Sequence, residues 1–331
     1  MARLDIDHIF DMLQYQNARI LHTAISLGIF DELDGPPLTA TTIAKRLRTN
    51  TRATEMLLNA LVALKLLKKT GKCYENSPLA LRHLVSGKEE YIGNMIMHHA
   101  NDWQKWGMLE QTVRTGKPPK GLSGWRTDEA KRRDFILAMH DSSKRKASAI
   151  ADAVNLSGVS TLLDVGGGPA TYSIYFCREY PALSASVYDY PPTGPIAAEV
   201  IARYRMSKRI SFIPGDFMKG PIPGKYGAVW VSNIIHSYSH VENRRLMKKL
   251  YRATDLGGRI LIQDFVLNED RAGPLFAARF ALHMLLGNSA GGTYTFSEIG
   301  DWLRSAGYTK VSRLRIKLPN EVKIIQARKA P

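Results

Sequence analysis

Cysteine is scarce in this chain, with two in 331 residues. Cys73 and Cys177 stand far apart and without metal-ligand spacing, so a disulfide framework and a thiolate metal centre are both excluded; they read as free thiols of a reducing compartment. No cluster of His, Cys and Asp has the spacing of a metal site, and no metal is expected. A Gly-x-Ser-x-Gly nucleophile elbow is absent. So is any apolar run long enough to span a bilayer, or a leader-like segment, so no membrane association and a cytoplasmic location are expected. Internal repeats and low-complexity stretches are missing as well. Acidic residues are in the minority, 30 Asp+Glu against 46 Lys+Arg, for a net charge of +16. The excess is spread over short clusters, Lys65 to Lys72, Lys131 to Arg133, Lys144 to Lys146 and Arg244 to Lys249, with no like-charge tail. These read as solvated faces rather than a nucleic-acid track. A hydrophobic share of 44% with 23% charged residues describes an ordinary globular protein, and the length calls for more than one module.

What is present is concentrated in the second half. Leu162-Leu163-Asp164-Val165 is a short apolar run ending in Gly166-Gly167-Gly168-Pro169-Ala170, after which a helical pattern begins at Thr171. Small residues at a strand-to-helix turn let the backbone approach a ligand closely, with the free N–H groups of the helix facing it. Three later strand ends carry matching chemistry. Val187-Tyr188-Asp189 ends in a carboxylate suited to two ribose hydroxyls. Ile213-Pro214-Gly215-Asp216-Phe217 offers a carboxylate and a ring for an adenine. Val229-Trp230-Val231-Ser232-Asn233-Ile234-Ile235-His236 delivers an imidazole. A dinucleotide would need Gly-x-Gly-x-x-Gly, whereas Thr171 occupies the last glycine position and Asp164 leads into the turn. A cationic sulfonium and ammonium suit that acid better, so the four tips together point to S-adenosylmethionine as methyl donor.

The first half is organised differently. Leu4 to about Phe30 reads as amphipathic helix, with Ile20, Leu21, Ala24, Ile25 and Leu27 on one face. A turn at Asp34-Gly35-Pro36-Pro37 precedes a second helix from Thr39 to Leu47 and a third from Thr51 to Leu64. Leu66 to Lys69 and Cys73-Tyr74 then form a two-stranded wing, making a winged-helix module. On a basic chain this invites a DNA-binding reading, yet only Arg52, Glu55 and Asn59 are polar contact candidates on the third helix, and dimerisation is the better reading. Helical stretches over Tyr91 to Met108 and Asp128 to Val154 follow. From Thr161 onward, alternating strands and helices mark a doubly wound sheet with its ligand at the strands' C-terminal ends. Thr295-Phe296-Ser297-Glu298 opens a helix with a capping box, stopped at Gly307. Two last strands, Val311 to Leu318 and Val322 to Ala327, are expected at an antiparallel edge.

These motifs resemble those of the small-molecule O-methyltransferases typified by plant caffeate and bacterial natural-product enzymes. The matching residues are Phe135 to Ser143, Asp164 to Gly168, Asp189-Tyr190-Pro191, Gly215-Asp216-Phe217, Ile235 to Ser239, Ile262-Gln263-Asp264 and Asn288 to Gly292. The resemblance covers nearly the whole chain. It implies an α/β fold: a Rossmann-like doubly wound class I methyltransferase sheet at 156–331, preceded by a winged-helix dimerisation domain at 1–90, all-helical but for its wing, and by linking helices at 91–155. It implies S-adenosylmethionine as cofactor, S-adenosylhomocysteine as product, a homodimer, and a hydroxyl on a small aromatic or polycyclic acceptor.

The resemblance also implies roles. Gly166 passes along the donor's amino-acid part and Ser143 meets its carboxylate. Asp189 holds the ribose, Asp216 and Phe217 the adenine, and Tyr238 stands where the family usually has a tryptophan. Asp164, Gly168, Tyr190 and Ser232 complete the cofactor set, Ser232 in place of a family lysine. His236 falls on the general base. Phe135, Met139, Met284 and Asn288 line the acceptor pocket; apart from the resemblance, His99 on the Trp-bearing helix after the wing is read as a further acceptor contact. Residue chemistry points the same way: an imidazole titrating near neutrality can take a hydroxyl proton, and Asp264 at the next strand end can hold its other nitrogen. His240 and His283 read as bystanders or pocket rim. One departure stands out: Ser237 follows the histidine where the plant enzymes carry an acid, and Glu298 reads as a capping acid. Transfer to carbon or nitrogen, or use of the cofactor without transfer, stays open on that ground.

Overall fold

A computed structural model of the protein describes residues 6–121 and 128–331; Leu4 lies outside them. The chain divides after Trp103 into two units, Met1–Trp103 and Gln104–Pro331. The boundary cuts the expected linking block: helix Gly93–Asn101 falls in the first unit and helix Glu129–Ala153 in the second. No helix among the described residues is long and apolar enough to cross a membrane.

In the first unit the expected N-terminal helix is broken into Ile6–Met12, Tyr15–Leu27 and Ile29–Glu32. Gly28, at φ 76°, ends the middle piece in the left-handed conformation that glycine adopts without strain. Thr39 and Asn50 cap helices Ala40–Leu47 and Thr51–Ala63, each accepting a backbone N–H three residues on. Strands Leu67–Thr70 and Cys73–Asn76 form the wing, and Leu38–Thr39 adds a third strand beside Cys73–Asn76. Ile29, Phe30, Leu33, Ile43, Leu58, Leu61 and Tyr74 make the core. The third helix is bound to the wing: Asn59 Oδ1 accepts from Lys69 Nζ at 2.9 Å and from the Tyr74 hydroxyl at 2.8 Å.

The second unit is built from α1 (Glu129–Ala153), β1 (Thr161–Val165), α2 (Thr171–Glu179), β2 (Ser184–Asp189), α3 (Gly194–Arg203), β3 (Ile210–Pro214), β4 (Tyr226–Ser232), α4 (His240–Ala253), β5 (Thr254–Asp264), α5 (Leu275–Gly287), α6 (Phe296–Ala306), β6 (Thr309–Arg313) and β7 (Lys323–Arg328). The seven strands are ordered β6-β7-β5-β4-β1-β2-β3. β1 to β5 run parallel, while β7 is antiparallel to β5 and β6 to β7. Successive strand residues face opposite sides, so the sheet has two cores. Leu162, Ala228, Trp230, Leu261 and Ile324 pack under α1, α2 and α3; Leu163, Val229, Val231, Ile260, Ile262 and Ile325 pack under α4 and α6. β1 lies between β2 and β4, so the connections leave it in opposite directions and open a crevice at the C-terminal tips. The expected capping boxes and stops hold: Thr295 and Glu298 cap each other, and Gly307 ends α6 at φ 108°.

Trp230 is fully buried between Tyr172 and Phe176, with ring centroids 5.2 and 5.0 Å away. Its indole N–H makes no hydrogen bond among the described residues. Trp230→Ala is therefore expected to cost about 3–5 kcal/mol in urea unfolding, whereas Trp230→Phe, which keeps one ring and leaves a smaller cavity, costs clearly less.

Candidate active site

The glycine-rich turn follows β1. Gly166 and Gly168 have φ of +64° and +51°, and a Cβ on Gly166 would lie 2.2 Å from Ile234. One on Gly167 would strike the Asp164 carboxyl at 2.5 Å. At Gly168 only the Asp189 carboxylate comes within 4.0 Å, so a side chain there would fill the space beside that acid. Asp189 is held by two backbone donors, Gly168 N–H at 2.8 Å and Tyr190 N–H at 2.6 Å. Its burial raises the carboxyl to about 6 despite those bonds. Asp164 is deeper, its Oδ2 accepting from Ser173 Oγ at 2.7 Å and its Oδ1 buried without a partner among the described residues. Burial first, and the field of Asp189 after it, push its carboxyl up to about 7. Two carboxyls that sit uneasily in the dry interior beside a glycine cradle suit a cationic ligand with ribose hydroxyls, so the residues present fit S-adenosylmethionine.

An aromatic box lies at the next tip. Phe217 is buried, with Tyr190 at 6.4 Å and Tyr238 edge-on at 6.0 Å. Asp216 spends Oδ1 on the Met218 N–H at 2.9 Å, so one oxygen secures its own turn. Lys249 fastens this loop from α4: its Nζ donates to the carbonyls of Phe217, Met218 and Gly220 at 3.2, 2.6 and 2.9 Å. The cluster Arg244 to Lys249 thus ends in an inward-turned lysine, against the expectation of a solvated face.

His236 sits on a 3₁₀ turn, Ile235–Ser237, between β4 and α4. Ser239 and Glu242 form a capping box at the start of α4. Asn243, wholly buried, donates to the carbonyls of Ile235 and Tyr238 at 2.9 and 3.0 Å and so ties the turn to the helix. From the other side Gly292 N–H donates to the His236 carbonyl at 2.8 Å. A Cβ on Gly291 would come within 2.5 Å of that same oxygen. Asn288 organises this segment, its Oδ1 accepting from the N–H groups of Ala290 and Gly291. The imidazole Nδ1 bonds Asp264 Oδ1 at 2.8 Å, and that oxygen also takes the Phe265 N–H at 2.8 Å. Nε2 makes no hydrogen bond among the described residues. The ring is stacked on Phe265 at 6.3 Å and meets Phe280 edge-on at 4.8 Å. Phe276, His283 and Trp106 extend this aromatic wall.

The structure therefore brings His236 and Asp264 together, with Asn288 bracing the same turn, and sets Asp189, Tyr190, Phe217, Tyr238, Gly166 and Gly168 around the crevice. Ser143 is buried on α1. Ser232 donates to Gln263 Oε1 at 2.9 Å, so its hydroxyl is engaged within the sheet. Phe135 and Met139 are half-buried on α1, and Met284 is buried on α5. His99 is exposed on helix Gly93–Asn101 of the first unit. His240 packs edge-on against Tyr294 and Trp302. Phe265, Phe280 and Asn243 went unnoticed in the sequence, and Lys249 was read there only as part of a solvated cluster. The two phenylalanines carried a signal, since one follows Asp264 directly and the other lies one turn before Met284.

The sequence profile of the O-methyltransferase domain matches residues 106–309, and that of the O-methyltransferase dimerisation domain residues 11–86. The chain belongs to the O-methyltransferase family. It is 33% identical to the 3-hydroxy-5-methyl-1-naphthoate 3-O-methyltransferase of Streptomyces sahachiroi, over 94% of this chain and 91% of that one. It is 30% identical to the N,N-dimethyltransferase OxyT of Streptomyces rimosus, over 76% of each. Human N-acetylserotonin methyltransferase, solved with its methyl donor, superposes with a TM-score of 0.89 at 25% identity, and 100% of each chain is covered. This O-methyltransferase is S-adenosylmethionine-dependent, and its expected class I fold and N-terminal dimerisation domain are borne out.

Because Lys249 holds three carbonyls of the loop that carries Phe217, replacing it should loosen that loop. Lys249→Met is expected to speed amide exchange at residues 216–220 severalfold by mass spectrometry, and to cost about 1–3 kcal/mol in urea unfolding.

Proposed function

We propose that this methyltransferase acts on a hydroxyl of a small aromatic or polycyclic metabolite, with His236 taking the hydroxyl proton. The observation that carries the reading is the 2.8 Å bond from His236 Nδ1 to Asp264, which leaves Nε2 as the nitrogen available to an acceptor beside the wall of Phe265 and Phe280. Asp264 fixes the tautomer and offsets the charge that the imidazole gains when it accepts the proton. S-adenosylmethionine supplies an electrophilic methyl group on a sulfonium. The chain's share is alignment, and an in-line displacement gains most of its rate from holding reactants in register. Gly166, Gly168 and Asp164 line the donor's amino-acid end together with Ser143, Asp189 receives the ribose, and Asp216, Phe217, Tyr190 and Tyr238 receive the adenine. Ser232 belongs to the donor side, and Phe135, Met139, Met284 and Asn288 to the acceptor side.

Transfer to nitrogen is the second reading, and the N,N-dimethyltransferase among the relatives favours it. An amine brings its own lone pair and leans less on a base. The two readings therefore separate on how far turnover falls when the imidazole is removed.

The same reading makes the protein a homodimer through its N-terminal unit and gives it no role on nucleic acid. In support, Ile6, Ile9, Phe10, Met12 and Leu13 are all 58–68% exposed in the first unit. A face of that kind calls for a partner. Of the three polar candidates on the third helix, Asn59 is already bound by Lys69 and Tyr74.

His236→Ala is expected to lower kcat on phenolic acceptors by about 10²–10⁴-fold while S-adenosylhomocysteine affinity by calorimetry stays within twofold; unchanged turnover removes the imidazole from the mechanism. Substituting Ile9→Glu and Phe10→Glu together is expected to shift light-scattering mass from dimer to monomer, and a dimer that persists places the contact elsewhere.

A further inference from the structure

The cluster Lys144 to Lys146, expected as solvated surface, divides on α1. Arg145 is exposed, Lys144 pairs with Asp141 at 3.3 Å, and Lys146 is only 3% exposed. Lys146 lies three residues after Ser143 and seven after Met139, so it continues the inward stripe of α1 that Ile150 extends. Its Nζ stands 5.9 Å from the centroid of the Phe265 ring, the ring stacked on His236.

Among the described residues Lys146 has no ion-pair partner. The acid that acts on it is Asp264, but Asp264 Oδ1 is taken by His236 and the Phe265 N–H. Its Oδ2 is buried and unpartnered. The ammonium therefore sits dry at the edge of the site, within the field of Asp264 but without an ion pair among the described residues. Burial holds it down at about 8, with Asp264 pulling the other way and Arg145 adding to the depression. A cation in that condition is costly unless an anion joins it.

We propose that Lys146 is a carboxylate receptor of this site, its ammonium taking an acid group carried by a bound ligand. The inference rests on the methyl-transfer site described above. Two ligands can bring that chemistry: the donor through its amino-acid carboxylate, or an acceptor bearing an aromatic acid. Either way the carboxylate would complete the only charge that α1 buries without a counter-ion among its described residues.

Calorimetry on the full-length wild type, Lys146→Met and Lys146→Arg separates the cases. Two donor probes are used: S-adenosylhomocysteine, and 5′-methylthioadenosine, which lacks the amino-acid portion. Two acceptor probes, a hydroxynaphthoate and the matching naphthol, are titrated into enzyme saturated with S-adenosylhomocysteine. If the donor supplies the carboxylate, Lys146→Met weakens S-adenosylhomocysteine by about ten- to a hundredfold, leaves methylthioadenosine within twofold, and Lys146→Arg recovers most of the loss. If the acceptor supplies it, the two donor probes are unaffected and the hydroxynaphthoate alone loses a comparable factor. Parallel losses within both pairs, or no loss in either, overturn the proposal, since they mark a packing role or none. A wild type that fails to bind S-adenosylhomocysteine would sink the methyl-transfer reading itself.

Discussion

The bond between His236 and Asp264 joins two neighbouring strand tips that the chain reaches 28 residues apart. Everything around it serves to keep those tips in place. The parallel register of β4 on β5 sets Ser232 beside Gln263, which puts the next residues of both strands at one end of the sheet. Asn243 and the capping box of α4 then hold the turn that carries the imidazole. An ordinary side-chain hydrogen bond is worth little in isolation, but one whose two ends are each fixed by the fold fails only when the sheet does.

The fold was legible because its signals are local. Glycine after a buried run, carboxylates at strand ends and the Thr295/Glu298 capping box each report on a few neighbouring residues, and the structure places them as the spacing required. Boundaries were less legible in the helical parts. The break at Leu13-Gln14 has no glycine or proline to announce it, and the division at Trp103 falls within a stretch of continuous helical character.

Side-chain direction was the hardest feature to read, above all for lysine. Lys146 and Lys249 sit in basic clusters whose composition says solvent, yet both turn inward, one to the site and one to three carbonyls. Charge counts along the chain carry no information on which way a long side chain bends. Helical spacing does, and counting from Met139 through Ser143 would have placed Lys146 on the inner stripe. Ser232 entered the cofactor set through the resemblance, and the direction of its hydroxyl, which donates to Gln263, was likewise not legible from its position.

The segment from Asn288 to Gly292 packs its backbone directly on the His236 carbonyl, with a donated N–H at 2.8 Å and no room for a side chain at Gly291. Any change that displaces this strip therefore also disturbs the peptide unit that carries the imidazole, so the two cannot be altered independently.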